Sequence, residues 1–503
     1  MSSLRGRKTL IVFASDYVRS TIGFITMFFV SRIMGAEQIG IVGYHLGLLG
    51  LFSIFLDLGI STAHIKRVSE KKDLGECVGT YLALKVGALS LYSIAVLTYL
   101  CAHHPLAIKD IGNQNHGVFF VLFVYYVFDQ LTTVLITTFS GREEFIKLNI
   151  PTSVGRIIKL FVAITFGYLG WGAKGLAIAY LADAFTSFLA AIFLFWYGKI
   201  PIKKPTSRML QSYIRYALPM MVIIPISVFN SNIDRVMIQK FSTLQQVGFY
   251  FTVQSLFVII NSISSSAMVV LLPKISSDFI QNKLEDLNRS VQKATRYLSI
   301  IILPVAIIVF IEADRIVGIC FGVKFLGAAN ILRVFSIVSL VMAVSRPYSN
   351  VLYGIESHNK IAFVSFLNLI ILFTCNYLLI PKLGAVGAAV SNLIVWIFSA
   401  SIQIYLACRY THSVFNFRIV RHFLCGFVMF LIIWFGRFLF PVSGGILWSI
   451  FELITLALAG LTVYLIALTM IGEWGKKDWD YFLGLINVRA LKEEFRRELK
   501  ASS

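Results

Sequence analysis

The chain is built from long apolar runs, each of about the 20 residues needed to cross a bilayer as a helix. Short, mostly basic links separate them. Such runs have no stable fold in water as a single core. In lipid they satisfy every backbone amide internally by becoming helices. The expected spans are 9–33, 40–64, 77–101, 117–139, 150–170, 175–197, 214–236, 248–272, 297–312, 327–353, 361–380, 385–408, 422–440 and 446–471. The ninth is short and is expected to extend to about 320. These runs predict an all-α membrane protein of about 14 transmembrane helices.

Charge placement supports that count. Only 14% of residues are charged and 57% are hydrophobic, yet the net charge is +20. With the N-terminus in the cytoplasm, the inner links collect Lys66, Arg67, Lys71 and Lys72, then Lys199, Lys203, Lys204 and Arg208, then Arg409, Arg418 and Arg421. The outer links hold few cations. A missed span would invert this bias beyond it. The basic balance is therefore a topology signal and not a nucleic-acid surface. The reading places the chain in the cell membrane, multi-pass, with both termini cytoplasmic. The first apolar run lacks a short h-region and a cleavage site, so it reads as an uncleaved span.

Signals for other chemistry are weak. The six cysteines are scattered and form no CxxC, so they read as small apolar residues. His103, His104 and His116 flank one outer link, with only Asp110 nearby. That is a poor metal set, and no metal site is expected. From Asp478, the residues Trp479, Phe482, Leu483 and Ile486 recur at helical spacing. The tail 474–503 therefore reads as an amphipathic helix on the inner leaflet. Asp478 and Asp480 make a DxD triplet, but no loop is long enough to hold a catalytic domain. A membrane-embedded glycosyltransferase is disfavoured on that ground, and the chain is not expected to be an enzyme.

An internal repeat organises the runs. Residues 35–40 (GAEQIG) resemble 243–248 (TLQQVG), Gly141 matches Gly354, and 172–177 (GAKGLA) matches 384–389 (GAVGAA). The offsets are 208 to 213 residues. Six spans lie within one period, so both halves keep the same orientation and an axis along the membrane normal relates them. The expected architecture is two pseudo-symmetric six-helix lobes, 1–200 and 210–408, plus two C-terminal helices in 420–471. The stretch 213–253 opens the second lobe and carries Asp234 and Arg235 near a span end.

Charges within the spans carry the functional argument. Arg19, Lys85, Arg156, Lys159 and Arg346 lie deep. Each would cost roughly 2.5–3.5 kcal/mol at the bilayer centre if it faced lipid. They must face protein or a wet cavity. Arg156 and Lys159 share one helix face, as do Asp16 and Arg19. Pairing as buried ion pairs is one reading of these charges. The other is a cationic lumen for an anionic substrate, since Arg forks and Lys point charges suit phosphate. On this second reading Arg19, Lys85, Arg156, Lys159, Asp234, Arg235 and Arg346 bind substrate. Asp16, Asp57, Asp129 and Asp183 balance the cations or bind a coupling H+ or Na+. No other cofactor is expected.

Residues 29–40 (FVSRIMGAEQIG), 55–63 (FLDLGISTA), 232–235 (NIDR), 247–250 (VGFY) and 383–389 (LGAVGAA) together resemble the lipid-linked oligosaccharide and polysaccharide flippases. These belong to the multidrug/oligosaccharidyl-lipid/polysaccharide exporter superfamily. The resemblance implies fourteen helices in two lobes around a central cavity. It implies transport of a polyprenyl-phosphate- or pyrophosphate-linked sugar from the inner to the outer leaflet. Arg32, Asp57, Asp234 and Arg235 match positions typical of that family. Expected partners are the lipid-linked glycan, the membrane, and a glycan polymerase or glycosyltransferases. The alternatives are a peptidoglycan-precursor flippase and a multidrug or cation antiporter of the same superfamily. The antiporter would use Asp16 or Asp183 for its proton.

Overall fold

The computed structural model describes residues 2–103, 114–355, 357–411, 416–439, 445–475 and 478. His104, Asp110 and the tail from Trp479 lie outside the described residues. Among the described residues the elements are helical. In the first half they are α1 (Ser2–Met34), α2 (Ala36–Phe52), α3 (Ile54–Asp57), α4 (Ile60–Ser69), α5 (Leu74–His103), α6 (Gln114–Gly141), α7 (Phe145–Tyr168) and α8 (Gly172–Tyr197). The second half holds α9 (Ser207–Phe241), α10 (Leu244–Ile280), α11 (Leu284–Ile311), α12 (Ala313–Phe321), α13 (Ala329–Gly354), α14 (His358–Leu383) and α15 (Ala385–Thr411). Two more, α16 (Ile419–Leu439) and α17 (Ile446–Met470), follow.

Among the described residues, ten helices are long and apolar enough to cross a membrane, and two bent pairs raise the number to twelve. The expected first and eighth spans lie within α1 and α10. On α7 the exposed Ile146, Ile150, Val154, Ile157 and Phe161 fall at three- and four-residue spacing, which is one helical stripe. The chain is a multi-pass membrane protein.

Two expected spans differ in detail. The run 40–64 is broken: the pieces 36–52 and 54–69 meet at 44°. Inside the second piece, Leu58 and Gly59 both take left-handed backbone, at φ 47° and 87°, which an α-helix cannot accommodate, so a second break separates α3 from α4. The run 297–312 extends toward its N-terminal side, beginning at Leu284, and ends at Ile311. Residues 313–321 form a separate short helix instead of a continuation. Acidic Glu312 and Asp314 fall at this break, where side chains pair with arginines instead of continuing an apolar run.

The two halves pack alike. Helix α8 packs on α6 and α7, and α15 packs on α13 and α14 in the same way; α1 lies on α7 as α9 lies on α14. The polar turn contacts repeat too. Gln38 Oε1 accepts from the Ala173 amide at 2.9 Å, and Gln246 Oε1 accepts from the Ala385 amide at 3.2 Å.

The halves meet where α2 crosses α10. A β-carbon at Gly40 would fall 1.8 Å from the Leu244 carbonyl oxygen, and one at Gly248 would fall 1.8 Å from the Ala36 carbonyl oxygen. The contact is reciprocal, as two copies about a two-fold axis require. Only glycine lets the two backbones approach this closely. Helices α16 and α17 pack on each other and dock against α11 and α12.

Candidate functional site

Helix α7 presents Arg156 and Lys159 on one face, and two neighbouring helices bring carboxylates to it. From α8 comes Asp183, whose Oδ2 lies 2.9 Å from Arg156 Nη1. The approach depends on Gly155: a β-carbon there would fall 2.5 Å from both Asp183 Oδ1 and its carbonyl oxygen. Asp183 is buried, while the Arg156 side chain stays 37% exposed. From α6 comes Asp129, exposed to solvent-sized space and within electrostatic range of Arg156 and Asp183. Both exposed groups are at the same time closely surrounded by protein.

Arg235 of α9 extends this cluster across the junction of the halves. It donates to Asn232 Oδ1 at 2.6 Å and to the Ser231 carbonyl at 3.3 Å. Its β-carbon packs over Gly47 of α2. Its Nε is buried with no hydrogen-bond partner among the described residues. Tyr126 and Tyr180 lie in the electrostatic range of Arg235, and Tyr180 lies in that of Arg156 as well. Tyr125 meets Tyr126 and Tyr180 edge-on, with centroids 5.2 and 5.5 Å apart. The sequence flagged none of these tyrosines. Tyrosine is common in membrane spans, and only proximity to Arg156, to Arg235 or, for Tyr180, to both distinguishes these three.

Lys159 borders that cluster through Tyr180, and the other candidates sit apart from it. Lys159 is buried, with Nζ 3.1 Å from the centre of the Tyr180 ring. No acid lies within ion-pair distance of it among the described residues. Arg19 pairs with Asp16 and donates to Thr152 Oγ1 at 2.6 Å, tying α1 to α7. Arg346 donates to the Asn261 carbonyl at 2.8 Å and has no acid partner among the described residues. Asp234 is buried and accepts from Tyr250 Oη, Asn376 Nδ2 and Asn392 Nδ2 at 2.6, 2.7 and 2.8 Å. It joins α9, α10, α14 and α15. Arg32 donates to the Ile319 carbonyl and covers the Phe28 ring. Among the described residues no three His, Cys, Asp or Glu side chains converge as a metal site.

Asp57 and Lys85 staple the break between α3 and α4. Asp57 Oδ1 accepts the Ser61 amide at 3.1 Å, capping α4, and pairs with Lys85 Nζ at 2.7 Å. The break frees the Leu56 carbonyl, which takes Lys85 Nζ at 3.0 Å and Gln130 Nε2 at 2.9 Å. Lys85→Met is expected to lower stability by about 1–3 kcal/mol, the cost of stranding such partners. Thermal melting of the purified protein measures it. An unchanged midpoint would show that the break holds without the lysine.

Comparison with known proteins agrees with this architecture. The family model described as "Polysaccharide biosynthesis protein" matches residues 29–330. A relative from Haloferax volcanii, named a probable low-salt glycan biosynthesis flippase Agl15, is 23% identical over 393 residues, covering 77% of this chain and 80% of that one. The solved lipid II flippase MurJ in an inward closed conformation aligns with a TM-score of 0.72 at 15% identity, covering 92% of this chain and 98% of that chain. An inward-facing multidrug resistance MATE transporter of the MOP superfamily aligns at 0.64 and 13% identity, covering 80% and 98%. These likenesses at low identity establish the fold. The family match covers more than half the chain, so this chain belongs to the polysaccharide biosynthesis protein family and shares the fold of the exporter superfamily its motifs resemble.

Proposed function

We propose that the protein is a flippase for a polyprenyl-phosphate- or pyrophosphate-linked oligosaccharide. It carries the sugar headgroup from the inner to the outer leaflet by alternating access, for the assembly of a surface polysaccharide or glycan. The observation that carries this reading is the accessible cluster of Arg156, Asp129 and Arg235 at the junction of the halves. An arginine fork left half exposed in a membrane interior is suited to a phosphate, and hydroxyl-bearing rings beside it suit a sugar. The name of the Haloferax volcanii relative supports a glycan cargo. The lobes 1–200 and 210–408 rock against each other, with the termini on the cytoplasmic side of the cell membrane. A proton or Na+ at Asp16, Asp57, Asp129 or Asp183 supplies the coupling. The protein makes no bond in its cargo and is not an enzyme. Its partners are the lipid-linked glycan and the glycosyltransferases or polymerase acting on either side.

The test compares two substitutions in cells whose export depends on this chain. Arg156→Lys keeps a cation for Asp183 but loses the fork. Arg156→Ala loses both. Glycan export is expected to fall about ten- to a hundred-fold in Arg156→Ala, the value of one charge-assisted contact. Lipid-linked glycan should accumulate on the inner leaflet, and Arg156→Lys should fall between. Normal export in Arg156→Ala at equal membrane abundance would overturn the assignment. Drug resistance conferred by the chain with no glycan phenotype would favour the multidrug reading.

A further inference from the structure

Two cations on α7 face a single buried carboxylate. Arg156 holds Asp183 at 2.9 Å. Lys159, one turn further along the same face, lies in the electrostatic range of both Arg156 and Asp183. Yet it sits outside ion-pair distance of any described acid and rests on the Tyr180 ring. A buried ammonium held by an aromatic face alone is an incomplete arrangement in a membrane interior. Beside it lies a cavity of about 20 Å³ lined by Gly23, Thr26, Lys159 and Tyr180 among others. That is the room of one water, enough for the amine to swing.

An anion that docks on Arg156 must compete with Asp183. If Asp183 simply let go, a buried carboxylate would be left without a cation, which is unfavourable away from bulk water. Lys159 removes that penalty by standing one helical turn away. We propose that Asp183 is a counter-ion shared by Arg156 and Lys159, and that a phosphate docking on Arg156 passes the carboxylate to Lys159. Lys159 is then a positioning residue that never touches the cargo. Gly155 belongs to the same device, since it lets α8 approach α7 closely at Asp183. The nature of the anion rests on the flippase reading above; the exchange of partners rests on the α7–α8 geometry.

The experiment is a double-substitution cycle on the purified full chain in detergent. Its probe is farnesyl pyrophosphate, a short anionic isoprenoid, with farnesol as the uncharged control. Lys159→Met is expected to weaken binding about ten-fold or more, the scale of one lost charge-assisted interaction. Asp183→Asn should tighten it, because the competitor for Arg156 is gone. In the Asp183→Asn background, Lys159→Met should have little further effect. Lys159→Arg should bind like the wild type. Equal weakening by Lys159→Met in both backgrounds would mean that Lys159 contacts the pyrophosphate directly, and would overturn the shared counter-ion. Wild-type affinity in a folded Lys159→Met protein would overturn it as well, while leaving the flippase reading intact. If the wild type bound farnesyl pyrophosphate no better than farnesol, the anionic-lipid reading itself would fall, and the partner exchange with it.

Discussion

Oxidising a Gly43→Cys/Phe251→Cys variant is expected to stop glycan export, and reduction to restore it. The two positions are 208 residues apart, the period of the internal repeat, and they face each other across the α2–α10 crossing. A β-carbon at Gly43 would lie 3.2 Å from that of Phe251, near the roughly 3.5–4.5 Å of a disulfide. Losing the phenyl ring leaves the sulfurs room to adjust. Alternating access requires the halves to part on one side and close on the other. The reciprocal Gly40–Leu244 and Gly248–Ala36 contacts close one end of that seam. A covalent bond there fixes it shut. Export at the normal rate by fully cross-linked protein would show that this seam never opens, and the rocking scheme would lose its gate. The single-cysteine variants under the same oxidant separate cross-linking from side reactions.

Removing Arg315 should have the largest effect on stability. Its Nη1 lies 2.9 Å from Glu312 and its Nη2 lies 3.3 Å from Glu452, and all three side chains are essentially sealed from solvent. Nearby, Asp314 pairs with Arg333 and with Arg437. These groups bind α17 and α16 to the main bundle at one end. At the other end Glu473 pairs with Arg296 and Arg421, and Asp478 with Arg296. Arg315→Ala leaves two carboxylates facing each other in a dry site. The expected loss is about 3–5 kcal/mol. It should appear as a lower melting temperature and faster proteolysis between residues 411 and 446. Glu452→Gln removes one acid and leaves the Glu312 pair, so its effect should be smaller. A melting temperature unchanged in Arg315→Ala would mean that apolar packing alone docks the two last helices.

The role of Asp57 and Lys85 shows how far residue types alone can be read. Both were visible as deep charges, and the match of 55–63 to a family motif marked the segment. That Asp57 caps α4 and that Lys85 also satisfies the Leu56 carbonyl depends on a helix break. An apolar run of ordinary length gives no sign of such a break beyond one glycine. Asp234 is similar. Its charge was plain, but its partners Asn376 and Asn392 come from two later helices. Nothing local links an aspartate to asparagines 142 and 158 residues away.

From the sequence alone came the helices, their apolar lengths and the period that repeats them. These follow from local physics: a bilayer demands internally bonded backbone, and hydropathy is a property of each run by itself. The tertiary structure decided which charges are spent on one another and which stay open. Arg19, Lys85 and Arg156 each hold an acid, whereas Lys159 and Arg346 hold none among the described residues. Pairing is set within a few ångströms by the rotation and register of neighbouring helices. Side-chain electrostatics falls off over that same distance, so the chain's order of residues cannot specify it.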